Sequence, residues 1–257
     1  MAQELPRRTG FSGPALIRLL VSLNDADILE PAQSISDRLS QWLGWSEAIA
    51  LASALGAAAP AVFSKASRLD EEREYNRVRK VLGDAIAGIN TPAPARHRAR
   101  QSSAVHDKAV AVDTVEFSTY RQRYVSLQQN METRCTELRG RLRTTLATMS
   151  PDMARLAAVD AVMEQALNER EFCVLARVPV LLETRFKRLK QVALEPPADE
   201  SAAGLSPANR ANSWLDVFHQ DMQSVLFAEL DIRLQPAQGL LAALGPVNTD
   251  QGDRVGA

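Results

Sequence analysis

Wherever apolar residues cluster along this chain they recur at steps of three and four, the period of an α-helix rather than of a strand. The clearest run is Phe117, Tyr120, Tyr124, Leu127, Met131, Cys135, Leu138, Leu142, Leu146 and Met149, which predicts one long amphipathic helix. Ser150-Pro151-Asp152 then reads as a stop and restart. A serine can cap, proline suits the first helical position because its missing N–H is no loss there, and an acid suits the positive dipole end. Met153, Leu156, Val159, Met163 and Leu167 form the next stripe. Two long periodic helices around a tight turn predict an antiparallel hairpin.

Upstream, Leu16, Leu19, Leu20 and Leu23 mark a first helix that begins at Ser12-Gly13-Pro14. A second helical region runs from about Pro31 to Gly56, with Ile35, Leu39, Trp42 and Leu43 on one face. Gly44-Trp45-Ser46 interrupts it, and Ile49, Ala52 and Leu55 continue the face. Ser67 and Asp70 have capping-box spacing ahead of a helix over 68–88. That helix is expected to turn Leu69, Tyr75, Val78, Leu82, Ala85 and Ile86 inward. Asp70, Glu71, Glu72, Arg73, Glu74, Arg77, Arg79 and Lys80 are expected to make a solvated face. Downstream, Pro179 predicts a kink or break, and Leu182, Phe186, Leu189 and Val192 carry the pattern on to Pro196-Pro197. A last helix from about Pro207 carries Trp214, Val217, Phe218, Met222, Val225 and Ile232, and Pro236 is expected to break it before Leu240 to Leu244.

Between the halves, Thr91 to Ser103 has no apolar period and is rich in Pro, Ala and Arg, which reads as a linker. The expectation is therefore an all-α fold. An N-terminal helical subdomain (1–90) is joined by a flexible basic linker (91–112) to a C-terminal helical bundle built on the hairpin (113–245), with a disordered tail (246–257). No internal repeat and no strand run stands out.

Three segments carry a family resemblance. They are Thr9-Gly10-Phe11-Ser12-Gly13 leading into Leu16-Ile17-Arg18-Leu19-Leu20, then Asp37 through Trp45, then Phe117 through Arg123. Together they resemble an uncharacterised proteobacterial family, one of the domain-of-unknown-function groups, over most of the chain apart from linker and tail. The resemblance implies a bacterial, intracellular, helical protein. By association it points to an accessory role in an envelope-associated assembly, and it assigns no residue a role.

Composition narrows the chemistry. With 46% hydrophobic residues in 257 the chain can bury a real core, and its few aromatics favour helix over sheet. A formal charge of −1 argues against a dedicated nucleic-acid coat, while leaving room for a local basic stripe. Two cysteines make no disulfide framework and suit a reducing compartment. No apolar run is long enough to span a membrane, so a cytoplasmic protein with no membrane insertion is expected. Arg7-Arg8 ahead of Ala15 to Leu23 faintly echoes a twin-arginine signal, but Arg18 interrupts the run and Asn24-Asp25-Ala26-Asp27 replaces the cleavage site.

Catalytic and cofactor patterns are not found: there is no phosphate-binding glycine run, and Gly10-Phe11-Ser12-Gly13 falls short of a nucleophile elbow. Asp216 and His219 stand three apart but lack the second acid–histidine pair a di-metal bundle needs, so no metal, no cofactor and no enzymatic activity are expected. Cys135 and Cys173 fall out of register across the hairpin and are expected to be buried free thiols. What remains are surfaces. Leu16, Leu20, Trp42 and Trp45 offer apolar area to a protein partner or to a second copy of the chain. The alternative is a nucleic-acid regulator using Arg121, Arg123, Arg134, Arg139, Arg141 and Arg143 on one helix, with Arg185, Lys187, Arg188 and Lys190 crowding another. Against it stands charge pairing with Asp160, Glu164, Glu169 and Glu171, and with Asp216, Asp221, Glu229 and Asp231.

Overall fold

The computed structural model describes residues 14–24, 35–56, 68–90, 116–194 and 207–245. Every secondary-structure element among them is an α-helix: α1 (Ala15–Asn24), α2 (Ile35–Trp42), α3 (Trp45–Gly56), α4 (Arg68–Ala87), α5 (Phe117–Ala147), α6 (Pro151–Leu175), α7 (Val178–Leu194) and α8 (Pro207–Ala243). The linker, the tail, and the caps expected at Ser12 and Ser67 lie outside the described residues.

Local chemistry sets the boundaries. The Ser150 hydroxyl accepts from the Met153 amide at 3.3 Å, with Pro151 following at the first helical position and Asp152 in the first turn. The chain reverses through Thr148–Ser150, and α6 returns along α5, so that Arg139 and Arg143 meet Asp160 and Glu164. At Ala176–Arg177 the helix breaks, and Pro179 falls in the first turn of α7, where it displaces no helical hydrogen bond.

The central pair is α5 and α8; α4 and α7 each pack on both, and α1 lies across α7 and α8. One contiguous core joins them, from Leu16 and Leu23 through Tyr75, Leu82 and Ile86 to Tyr124, Leu142, Phe186, Phe218 and Leu226. Helices before residue 90 therefore share the core of those after 113. Helix α4 alone has nothing to close its stripe against, and the groove between α5 and α8 supplies it. Outside this core, α6 lies on α5, and α3 lies on α6.

Several expected faces are corrected. Leu69 is exposed while Glu71 is buried, because the stripe of α4 begins at Glu71 and continues through Tyr75, Val78, Leu82 and Ile86. Glu71 meets Arg141 at 2.8 Å and the Thr145 hydroxyl at 3.1 Å, which offsets the cost of its burial. Leu156 faces solvent and Ala157 is buried in its place. Helix α8 does not break at Pro236 but runs through to Ala243. Leu230, Leu234, Ala237, Leu240, Leu241 and Leu244 are all buried, and that apolar face holds the helix together across a residue that costs about 3 kcal/mol in a helix interior.

Candidate interaction surface and the polar sites of the bundle

Four residues on α1–α3 were the apolar candidates for a partner, and the structure separates them. Leu16 is buried in the core and Leu20 packs against it, so α1 uses its apolar face inside the molecule. Trp42 is partly exposed at the end of α2, with the Arg170 guanidinium over its ring at 5.5 Å. Trp45 is 84% exposed, Ile49 54% and Leu55 59%. Helical spacing places Trp45, Ala48, Ile49, Ala52 and Leu55 along one outward stripe of α3, while Ala54 on the opposite side is its one buried residue. Glu47 is the single charged residue of that helix.

The arginines of α5 also divide. Arg139 grips Asp160 through two nitrogens, Nε at 2.8 Å and Nη2 at 2.7 Å, and Arg143 bridges Asp160 at 3.0 Å and Glu164 at 2.5 Å. All four side chains are largely buried between α5 and α6. Arg141 is held by Glu71. Arg123 donates to the Ile89 carbonyl at 3.1 Å, beyond the end of α4, and Arg134 to Asn130 within its own helix. Arg121 is exposed on the rim of an open groove between α5 and α7 that Lys187, Lys190, Glu116 and Glu183 also line. On α7, Arg185 pairs with Asp221 at 2.9 Å and Lys187 with Glu183. Most of the basic stripe is thus engaged by acids and carbonyls of the same chain.

The most deeply placed polar site showed in the sequence only as Glu229 among the acids open to pairing with arginines. Glu229 of α8 is fully buried. Its carboxylate accepts from the Tyr124 hydroxyl at 2.8 Å, from Gln128 Nε2 at 3.0 and 3.1 Å, and from Arg233 Nε at 3.0 Å. Gln128 also donates to the Leu175 carbonyl at 3.1 Å. The reason lies in the α6–α7 break. The N–H that would serve Leu175 in a continuous helix belongs to position 179, and proline has none. Gln128 supplies the missing donor from across the bundle. Burial, reinforced by the Glu229 charge, pushes the Tyr124 hydroxyl well above its ordinary range and keeps it a donor.

The same device recurs at other helix ends. Gln223 donates to the Ala87 carbonyl at 3.0 Å, and Arg188 donates to the Leu23 carbonyl. His219 lies within 3.1 Å of the Tyr120 hydroxyl, on an aromatic cluster of Phe117, Phe186, Trp214 and Phe218, and its burial pulls its pKa down. It joins no ligand set: among the described residues no group of three or more His, Cys, Asp or Glu could hold a metal ion. Nor is any described helix long and apolar enough to cross a membrane.

Both cysteines are free, but only Cys135 is buried; Cys173 lies on the exposed side of α6, because that helix turns little of its surface into the core. Burial raises the Cys135 thiol to about 11. In the native protein near neutral pH, an alkylating reagent is expected to label Cys173 and leave Cys135 untouched until the chain is unfolded. Intact-mass measurement checks this, and a doubly labelled native protein would contradict the burial.

No match was found among curated proteins or among solved structures. The family described as "Protein of unknown function (DUF3348)" matches residues 1–246, and the chain belongs to that family.

Proposed function

We propose that this protein is a non-enzymatic helical interaction module that captures a protein partner on the outward stripe of α3. One observation carries the reading: a twelve-residue helix with a single charge buries only Ala54 and leaves Trp45, Ile49 and Leu55 in water. Covering large apolar side chains yields about 1.5–3 kcal/mol each, so a contiguous row of them favours a docked helix. The small Ala48 and Ala52 between them let a partner backbone approach closely. The nucleic-acid alternative is poorly supported, since Arg139, Arg141 and Arg143 are engaged by Asp160, Glu164 and Glu71.

The test compares wild type with Trp45→Ala in a nuclease-treated pull-down at low and high salt, alongside light scattering. A stoichiometric protein retained at high salt by the wild type and lost by the variant is expected; self-association lost in the same way would identify the partner as a second copy. Trp45→Ala itself is expected to change stability by no more than about 0.5 kcal/mol, because the ring is solvated. Equal capture by both proteins, or none by either, would sink the reading. Nucleic acid bound only at low salt would move it to the arginine face.

A further inference from the structure

The outer helices are attached to the bundle by a different kind of contact from the one that holds the bundle together. Helix α5 buries eight residues against its neighbours. Helix α6 is 25 residues long, yet among its described residues only Ala157 and Leu175 are fully buried. Val159, Val162, Met163, Ala166 and Leu167 are half-buried, and none of them belongs to the core cluster or packs against it. Met153 packs against the core near the start of α6 and Glu171 reaches Arg233 of α8 near its end; between them the ionic attachment to α5 is the quartet of Arg139, Arg143, Asp160 and Glu164. The chain is interrupted on both sides of α6, at Thr148–Ser150 and at Ala176–Arg177. Helix α3 has α6 as its packing partner and goes where α6 goes.

We propose that α3 and α6 form a layer that opens as a unit from the core of α1, α4, α5, α7 and α8, with the charge quartet as its latch. Cooperative units open in order of their local stability, and that stability falls where buried apolar contacts are few. A charge quartet of this kind is an effective latch because it is conditional. Intact, its two acids and two bases neutralise one another in a largely buried seam. With the acids neutralised, two guanidinium groups face each other there without counter-charges, and the seam is driven apart. The inference holds whether or not a partner docks on α3, since it concerns how the layer is fastened.

Hydrogen–deuterium exchange on the full chain tests it, read as peptides from α3, α6 and α8. In the wild type, α3 and the middle of α6 are expected to exchange together, at least roughly 100-fold faster than the centre of α8. In Asp160→Asn/Glu164→Gln, exchange in α3 and α6 is expected to rise by about a further 10-fold while α8 is unchanged. Wild-type α6 as protected as α8 would overturn the separate layer. A variant that leaves α6 unaffected, or that accelerates α8 equally, would overturn the latch. Glu74→Gln, which removes an exposed ion pair on α4, is the control and should change neither. If the double variant fails to fold, the wild-type comparison still decides whether the layer exists, and Asp160→Asn alone decides the latch.

Discussion

Replacing Glu229 with alanine is expected to destabilise the protein by about 3–5 kcal/mol, measured by urea unfolding followed by circular dichroism. The loss comes less from the carboxylate than from what it leaves behind. Arg233, partly buried, keeps only a 3.5 Å contact to Glu171, and the Tyr124 hydroxyl loses the acceptor it has at 2.8 Å. Gln128 retains the Leu175 carbonyl but loses its other partner. Glu229→Gln, which keeps shape and an acceptor, should cost less, and Glu229→Met combined with Arg233→Met should recover much of the loss, because a pair removed together strands no charge. A cost for Glu229→Ala below about 1 kcal/mol would show that the network contributes no more than an ordinary neutral hydrogen bond. The site also has a signature in pH. The Tyr124 pKa is raised on folding, so its contribution is fully present below the ordinary tyrosine value and is lost as pH rises toward the folded one. Tyr124→Phe should flatten that alkaline decline.

The second large effect is expected at Phe218, where alanine should cost about 3–5 kcal/mol. Phe218 is fully buried, with its ring edge-on to Phe186 at 5.0 Å, to Tyr120 at 5.4 Å and to Phe117 at 6.2 Å. It therefore touches α5 and α7 at once from α8, and no single neighbour can move in to fill the space. Phe218→Leu keeps most of the volume and should cost much less, with the difference reporting the lost ring geometry and the part-filled cavity. Equal costs for Ala and Leu would mean that the rings, and not the filled volume, carry the stability. The exposed Phe172 of α6 is the natural control, and Phe172→Ala should shift stability by no more than about 0.5 kcal/mol.

Much of the fold was legible along the chain because helices are local. The three-and-four spacing from Phe117 to Met149 is α5, Ser150-Pro151-Asp152 is the start of α6, and Gly44 separates α2 from α3. Where the reading failed, the cause was a contact with another helix. Pro236 is a helix breaker by every local rule, yet the leucines around it are buried on the core, and burial outweighs a lost hydrogen bond. Glu71 sits in a row of charges and reads as solvated, but Arg141 and Thr145, some seventy positions on, wait for it. Leu16 and Leu20 look like surplus apolar area only until α7 and α8 are in place.

What the sequence determined by itself was therefore the kind of element, its length and most of its ends, since period, caps and prolines act within a few residues. Tertiary structure decided what the polar residues are for. Gln128, Gln223, Arg123 and Arg188 each donate to a carbonyl near the C-terminal end of another helix, two of them at α4, and Arg139 and Arg143 fasten α6 to α5. None of those roles leaves a local trace, because a donor and the orphaned acceptor it satisfies are chosen by proximity in space. The exposed stripe of α3 is the complementary case. Its apolar residues were visible in the sequence, but only the packed bundle shows that nothing among the described residues covers Trp45.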